Sequence, residues 1–301
     1  MTPGQRRALV FLALAVSIVT ALLMLPAPQE GSSEGAKPLF PRLEPLDVLA
    51  LGIRHPGWSS EASFERGDPG WDMLAPAQGR ADRARLDALV RELITLEVRD
   101  AVEATELGAY GLEPGERIEI SLSLEDGDSL ELAVGGETVG TGTYLLFEDR
   151  VLPALGLIAK SVPAQLDDLR DRAVWQGSVL DTTRLSIAGE ATWAVERGPE
   201  GWQLTQGQPP TLALEPAETD ALLQFLEGLR IGSFEAAEPG LDEALLQVEL
   251  GDAAGHSLGL DIHRASDGVS YLATISGTSG AVILERASAL ALLERCGLAA
   301  D

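Results

Sequence analysis

One stretch occurs twice in this chain, and it constrains the fold more than any other feature. Phe64-Glu65-Arg66-Gly67-Asp68-Pro69-Gly70-Trp71 is answered by Val195-Glu196-Arg197-Gly198-Pro199-Glu200-Gly201-Trp202. Each copy reads as the tip of a β-hairpin. A strand ending in Glu-Arg enters a turn of Gly and Pro, which supply the backbone angles of a tight reversal, and Trp opens the return strand. Behind each Trp come a helix-period segment, alternating strands and a Tyr-Leu pair, Tyr144-Leu145 and Tyr271-Leu272. The Trp-to-Tyr spacing is 73 residues in one copy and 69 in the other. The expected fold is therefore α+β, with two related units, each an antiparallel β-meander packed with one main amphipathic helix.

The first unit is expected over residues 46–175. Leu46 to Ile53 begins as a strand, and Ala81-Asp82 opens a helix whose Leu86, Leu89, Val90, Leu93 and Ile94 share one face. Glu97 to Val102 holds a short strand. Arg117 to Leu124 alternates, turns at Asp126-Gly127, returns through Leu130 to Val134 and turns again at Gly135-Gly136. Thr143 to Phe147 adds a strand, and Val151 to Ile158 and Pro163 to Asp171 close the unit as short helical pieces. The second unit, 176–301, repeats the order: strands at Arg184–Ile187, Thr192–Val195 and Trp202–Leu204, a helix from Pro216 with Leu222, Leu223, Phe225, Leu226 and Leu229 apolar, then strands at 244–250, 257–263, 269–275 and 281–284. A helix over Ala287 to Cys296 ends it.

Residues 1–28 read as a membrane anchor. Arg6 and Arg7 precede Ala8 to Leu25, where only Ser17 and Thr20 are polar. As a helix this run spans about 27 Å, close to the roughly 30 Å of a bilayer core. The arginines before it and the acidic residues after it place the N-terminus in the cytoplasm and the bulk of the chain in the periplasm or otherwise outside. An uncleaved single-pass anchor is preferred to a cleaved signal peptide, because the run is long and Leu25-Pro26-Ala27 is a poor cleavage site. Gln29 to Pro45 reads as a linker, long enough to hold the folded part on the order of 20 to 30 Å off the membrane.

Length and charge narrow the functions. A chain of 301 residues holds about two domains. Its 47 Asp and Glu against 22 Lys and Arg give a net charge of -25, which repels phosphates and argues against nucleic acid as a partner. Cys296 is alone, so no disulfide forms within the chain, and its leucine neighbours point to a buried small apolar side chain.

Several of these pieces, in order, resemble a bacterial family known as domain of unknown function 4340. They are Trp71-Asp72-Met73-Leu74-Ala75-Pro76, Ala81-Asp82 opening a Leu-rich helix, Tyr110-Gly111-Leu112-Glu113-Pro114, the Asp126-Gly127 hairpin, Tyr144, and Val162-Pro163 leading to Leu169-Arg170-Asp171-Arg172. The likeness covers the first unit nearly whole and the second more loosely. There Glu238-Pro239-Gly240-Leu241 replaces the Gly-Leu-x-x-Pro turn, and the Arg-Asp-Arg ending is absent. The resemblance implies a membrane-anchored envelope protein of a kind often encoded beside ABC-type transporter components, including those associated with gliding motility, and carries no catalytic residues across.

The chemistry-bearing candidates each have a plainer reading. Gly127-Asp128-Ser129-Leu130 matches a lipase and esterase signature, but Ser129 opens the back strand of a hairpin and no Asp-x-x-His follows, so the match reads as chance. Asp261 and His263 lie two apart on a strand, with His256 in the preceding turn. With three histidines in the chain and no third ligand in register, they read as a solvated face. Glu125 to Asp128 lacks the ladder of a calcium loop. Asp167-Asp168 and Arg170-Asp171-Arg172 read as local ion pairs. The tryptophans at 58, 71, 175, 193 and 202 could line a glycan groove, although core packing is the better reading.

No catalytic, cofactor or metal residues are therefore assigned. The expectation is a non-catalytic extracytoplasmic accessory or scaffolding protein on a single N-terminal transmembrane helix, partnered with an ABC-type transporter permease or ATPase, or a gliding-type envelope system. The alternative is a polysaccharide- or peptidoglycan-binding module.

Overall fold

The computed structural model describes residues 35–68, 70–103, 106–138, 142–175, 178–208, 216–234, 241–276, 278 and 280–298. The Ala8–Leu25 run, Pro69 and the Glu238-Pro239-Gly240 turn lie outside them. Among the described residues no helix is long and apolar enough to cross a membrane.

Two antiparallel sheets and a few helices make an α+β architecture. The first sheet is built from β1 (Lys37–Pro38), β2 (Val48–Arg54), β3 (Ala62–Arg66), β4 (Trp71–Ala75), β5 (Gly79–Arg80), β6 (Glu97–Val98), β7 (Ile118–Leu124), β8 (Ser129–Glu137), β9 (Gly142–Phe147) and β10 (Arg150–Leu155). Helix α1 (Arg83–Ile94) precedes β6, and α2 (Ile158–Ser161) follows β10. The second sheet comprises β11 (Arg184–Ala188), β12 (Trp193–Gly198), β13 (Gly201–Gly207), β14 (Ile231–Ser233), β15 (Leu246–Gly251), β16 (Ser257–Arg264), β17 (Tyr271–Ile275) and β18 (Ala281–Leu284). Helix α3 (Pro216–Glu227) precedes β14, and α4 (Arg286–Arg295) follows β18.

The strand orders are the same. The first sheet runs β1-β6-β10-β9-β8-β7-β2-β3-β4-β5 and the second β14-β18-β17-β16-β15-β11-β12-β13 when read in the matching direction. Removing the edge strands β1 and β5 leaves one eight-stranded topology in two copies, with the main helix inserted at the same point of each.

Local chemistry accounts for these elements. In β7 the apolar set Ile118, Ile120, Leu122 and Leu124 is buried while Glu119, Ser121 and Ser123 point the other way, the period-two pattern of a sheet with one covered face. Asp82 caps α1 by accepting from the Arg85 backbone N–H at 3.1 Å, and Leu86, Leu89, Val90, Leu93 and Ile94 are buried against that face. Each such aliphatic side chain contributes roughly 1.5–3 kcal/mol of burial. In α3, Leu222, Leu223 and Leu226 are buried, and Phe225 is half-buried beneath the Arg295 guanidinium of α4 at 4.8 Å.

Four local readings of the sequence change in three dimensions. Residues 150–155 form a strand, not a helical piece, because a two-residue turn at Glu148 and Asp149, both at positive φ, folds β10 back onto β9. Gly135 and Gly136 lie inside β8 and make no turn. A Cβ on Gly135 would sit 2.4 Å from the Tyr110 carbonyl oxygen, so glycine there serves a close backbone approach. Part of the 29–45 stretch read as linker belongs to the fold: Lys37–Pro38 pairs with β6, and Phe40 meets Phe147 edge-on at 5.5 Å. The two Tyr-Leu pairs are not equivalent. Tyr271 is buried in the second core, whereas Tyr144 packs on the reverse of the first sheet with Tyr110, Leu112 and Val151.

Candidate functional site

Each sheet has one face covered by its helix; the reverse face of the first is covered in part by the Leu112, Ala133 and Val151 cluster and is open beside it, and that of the second is open at the corresponding place. On the open face of the first sheet the central side chains are small. Gly52 and Ser121 are cross-strand neighbours, and a Cβ on Gly52 would lie 2.3 Å from the Ser121 hydroxyl oxygen. With Ala133 they floor a groove of about 640 Å³. Its walls are charged. Arg54 donates to Glu61 at 2.7 Å and to Glu119 at 3.0 Å, while Arg117 donates to the other Glu119 oxygen at 2.8 Å. Glu61, by hydrogen bond and by charge, holds Arg54 above its ordinary pKa. Glu131, Glu148 and Asp149 complete an acidic rim.

The second sheet carries a smaller groove of about 250 Å³ in the corresponding place, since β11, β15 and β16 occupy the positions of β2, β7 and β8. Ser186, Ala188 and Gly259 line it with Glu249 and Asp261. Both grooves thus share a floor of small side chains and a negative rim. They can seat a chain or surface of another molecule. Among the described lining residues of the two grooves there is no histidine and no cysteine.

The candidates weighed from sequence come to rest apart. Ser129 sits on the rim of the first groove, opposite Ser123 in the β7–β8 ladder, and no histidine lines that groove. Asp261 and His263 do share a face of β16, but His263 is buried and its Nδ1 donates to the Asp242 carbonyl at 2.8 Å. His256 is exposed, with Nδ1 2.9 Å from Asp252, and this hydrogen bond lowers the Asp252 pKa. Among the described residues no three His, Cys, Asp or Glu side chains gather in a form that would hold a metal. At the β7–β8 turn, Asp126 accepts from the Asp128 N–H at 3.0 Å as an Asx turn. Trp71, Trp175, Trp193 and Trp202 are buried, and half-buried Trp58 stacks on His55 at 5.3 Å while donating to the Pro163 carbonyl at 3.2 Å. Cys296 is buried, and burial pushes its thiol up to about 12.

Sequence reasoning missed the partners of the repeated Glu-Arg…Trp tips. In each copy the Trp indole and the Arg guanidinium converge on an aspartate, Asp87 or Asp220, the fifth residue of its helix. The legible signal was a shared helix position lying 16 residues after one Trp and 18 after the other.

Fold and grooves together define a duplicated, antiparallel α+β scaffold with an open polar face on each unit. A family model described as Domain of unknown function (DUF4340) matches residues 71–247, running from the first return strand into β15 of the second sheet, and the chain belongs to this family. No curated protein and no solved structure matches it.

Proposed function

We propose that the protein is a non-catalytic, extracytoplasmic accessory or scaffolding subunit of a membrane complex, with an ABC-type transporter or a gliding-type envelope system as the assembly it serves. The single observation that carries the reading is the pair of open grooves at the same place in two consecutive units. Small floors and charged rims suit contact with another protein, and two of them offer a repeated or extended contact. The apolar run Ala8–Leu25 behind Arg6-Arg7 supports a single-pass anchor that keeps these faces near a membrane partner. The glycan-binding alternative wanted exposed tryptophans in a groove, and four of the five are buried.

The test is crosslinking of the full-length protein in its native membranes, purification in mild detergent and mass spectrometry of what remains bound. Recovery of a transporter permease or ATPase is expected. It should be lost when residues 1–28 are replaced by a cleavable signal, and weakened by Glu131→Arg combined with Glu249→Arg. Recovery that survives both changes, or of the protein alone, overturns the reading.

A further inference from the structure

The Arg170-Asp171-Arg172 sequence lies between the two sheets, and its three side chains divide between them. Extended chain sends alternate residues to opposite sides. Asp171 turns to the first unit, where its carboxylate pairs with Arg80 and its N–H donates to the Arg80 carbonyl at 3.0 Å. Arg170 and Arg172 turn to the second. The Arg170 guanidinium lies 3.8 Å from the ring centroid of Phe234, and Arg172 donates to the Gly232 carbonyl at 2.9 Å. Each arginine also faces an aspartate of the single helical turn Leu166–Leu169 on the first unit's side: Arg170 is 3.8 Å from Asp167, and Arg172 is 3.4 Å from Asp168.

The backbone is tied in the same alternating way. The Leu169 carbonyl accepts from Asp82 at 2.8 Å, and Ala81 bridges Arg170, all in the first unit. Three residues on, the Arg172 carbonyl accepts from Ile231 at 2.8 Å, and Ala173 bridges Arg230 in the second. Three extended residues span about 10 Å, so no slack lies between the last bond to one sheet and the first to the other. A linker that lets domains rotate leaves its backbone free, and this one does not. The Arg170 side chain is 15% exposed, and its buried Nε has no hydrogen-bond partner among the described residues. Burial lowers its pKa against the opposing pull of Asp167. A desolvated guanidinium placed on a ring of the other unit favours that one inter-unit angle, because leaving the ring would expose Phe234 and strand a half-buried charge.

We propose that Arg170-Asp171-Arg172 is an inter-unit clasp, which makes the two sheets one rigid and cooperatively unfolding body through the Arg170–Phe234 stack and the Arg172–Gly232 hydrogen bond. This stands independently of the accessory-subunit reading. Similar sheets joined by a loose connection would unfold separately and sample many angles, whereas the clasp holds both open grooves at a fixed separation.

The test uses the full-length protein in mild detergent, with calorimetry and with spin-label distances between Ser123→Cys and Gln203→Cys, Cys296 being buried. The unaltered clasp should give one endotherm and a narrow distance distribution. Arg170→Ala and Phe234→Ala should each resolve two endotherms and broaden the distribution. Arg170→Lys keeps the charge without the planar stack and should fall between. If Arg170→Ala does not fold, Arg170→Lys and Phe234→Leu give the same readout with smaller change. A single endotherm at lower temperature with an unchanged distance width in these variants would overturn the clasp, since an ordinary local ion pair lowers stability without uncoupling the units.

Discussion

The indole N–H of Trp71 donates to Asp87 Oδ1 at 2.9 Å while the Arg66 guanidinium lies over the same indole at 4.3 Å and reaches the same oxygen at 3.2 Å. The arrangement recurs as Trp202, Asp220 and Arg197, at 2.9, 4.7 and 2.8 Å. It fastens each hairpin tip to the first turns of the helix beneath it, which explains why Arg and Trp recur together in the two tips. Burial opposes charge on Asp87, but the Trp71 hydrogen bond and the Arg66 and Arg83 guanidiniums outweigh it and hold its carboxyl below the ordinary value.

The two copies differ in exposure, and their energies should follow. The Asp87 side chain is 26% exposed and the Asp220 side chain 52%. Trp71→Phe, which keeps a ring but removes the donor, should cost about 1–2 kcal/mol, and Trp202→Phe below about 1 kcal/mol because water screens its partner. Urea midpoints at constant slope measure both. Equal losses would contradict the difference in burial.

Gly135→Ala should destabilise by about 1–3 kcal/mol, since the added methyl meets the Tyr110 carbonyl and the Leu112 side chain inside a packed sheet. Gly115→Ala serves as the control: no atom lies near its Cβ, and its cost should come only from the φ of 90°. Thermal unfolding of the two variants checks the contrast.

Cys296 should resist thiol reagents at neutral pH in the folded protein and react fully once unfolded, because burial raises its thiol from 9.0 to about 12. The sign for stability follows from proton binding. Above about pH 9 the unfolded chain loses this proton while the folded chain keeps it, so stability falls as pH rises from 9 toward 12. Cys296→Ala should flatten that limb of the pH profile.

Asp267 should titrate at about 2, because the Ser270 backbone N–H, the Ser270 hydroxyl and the Val269 N–H all donate to it in the β16–β17 turn. Its support of the turn is present above the ordinary 3.8 and lost as pH falls toward 2. Carboxyl NMR in Ser270→Ala should show the midpoint move up toward 3.8. An unmoved midpoint would mean the hydroxyl contributes nothing.

Much of the architecture was legible because it is written in near neighbours. The Leu86 to Ile94 face of α1, the alternation of β7 and the Asp126-Gly127 turn depend on spacing alone. The β9–β10 turn was not legible, since Glu148 and Asp149 adopt positive φ without the glycine that usually marks it. Nor was β14, whose three residues Ile231, Gly232 and Ser233 carry no period. Of the grooves, only the small outward residues such as Gly52 and Ser121 were visible, not that they would meet across strands.

Local pattern was enough to set the α+β class, the doubled order of hairpin, helix and strands, the acidic surface and the buried lone thiol. These follow from periodicity, turn chemistry and composition, all of which act within a few residues. Tertiary structure alone decided that Asp87 and Asp220 receive the tryptophans, that Tyr271 enters a core while Tyr144 lies on the reverse of its sheet, and that Arg170 crosses to Phe234. Those outcomes depend on strand register and on contacts between residues up to 64 positions apart, as at Arg170 and Phe234, and a one-residue shift in register exchanges the two faces of a strand.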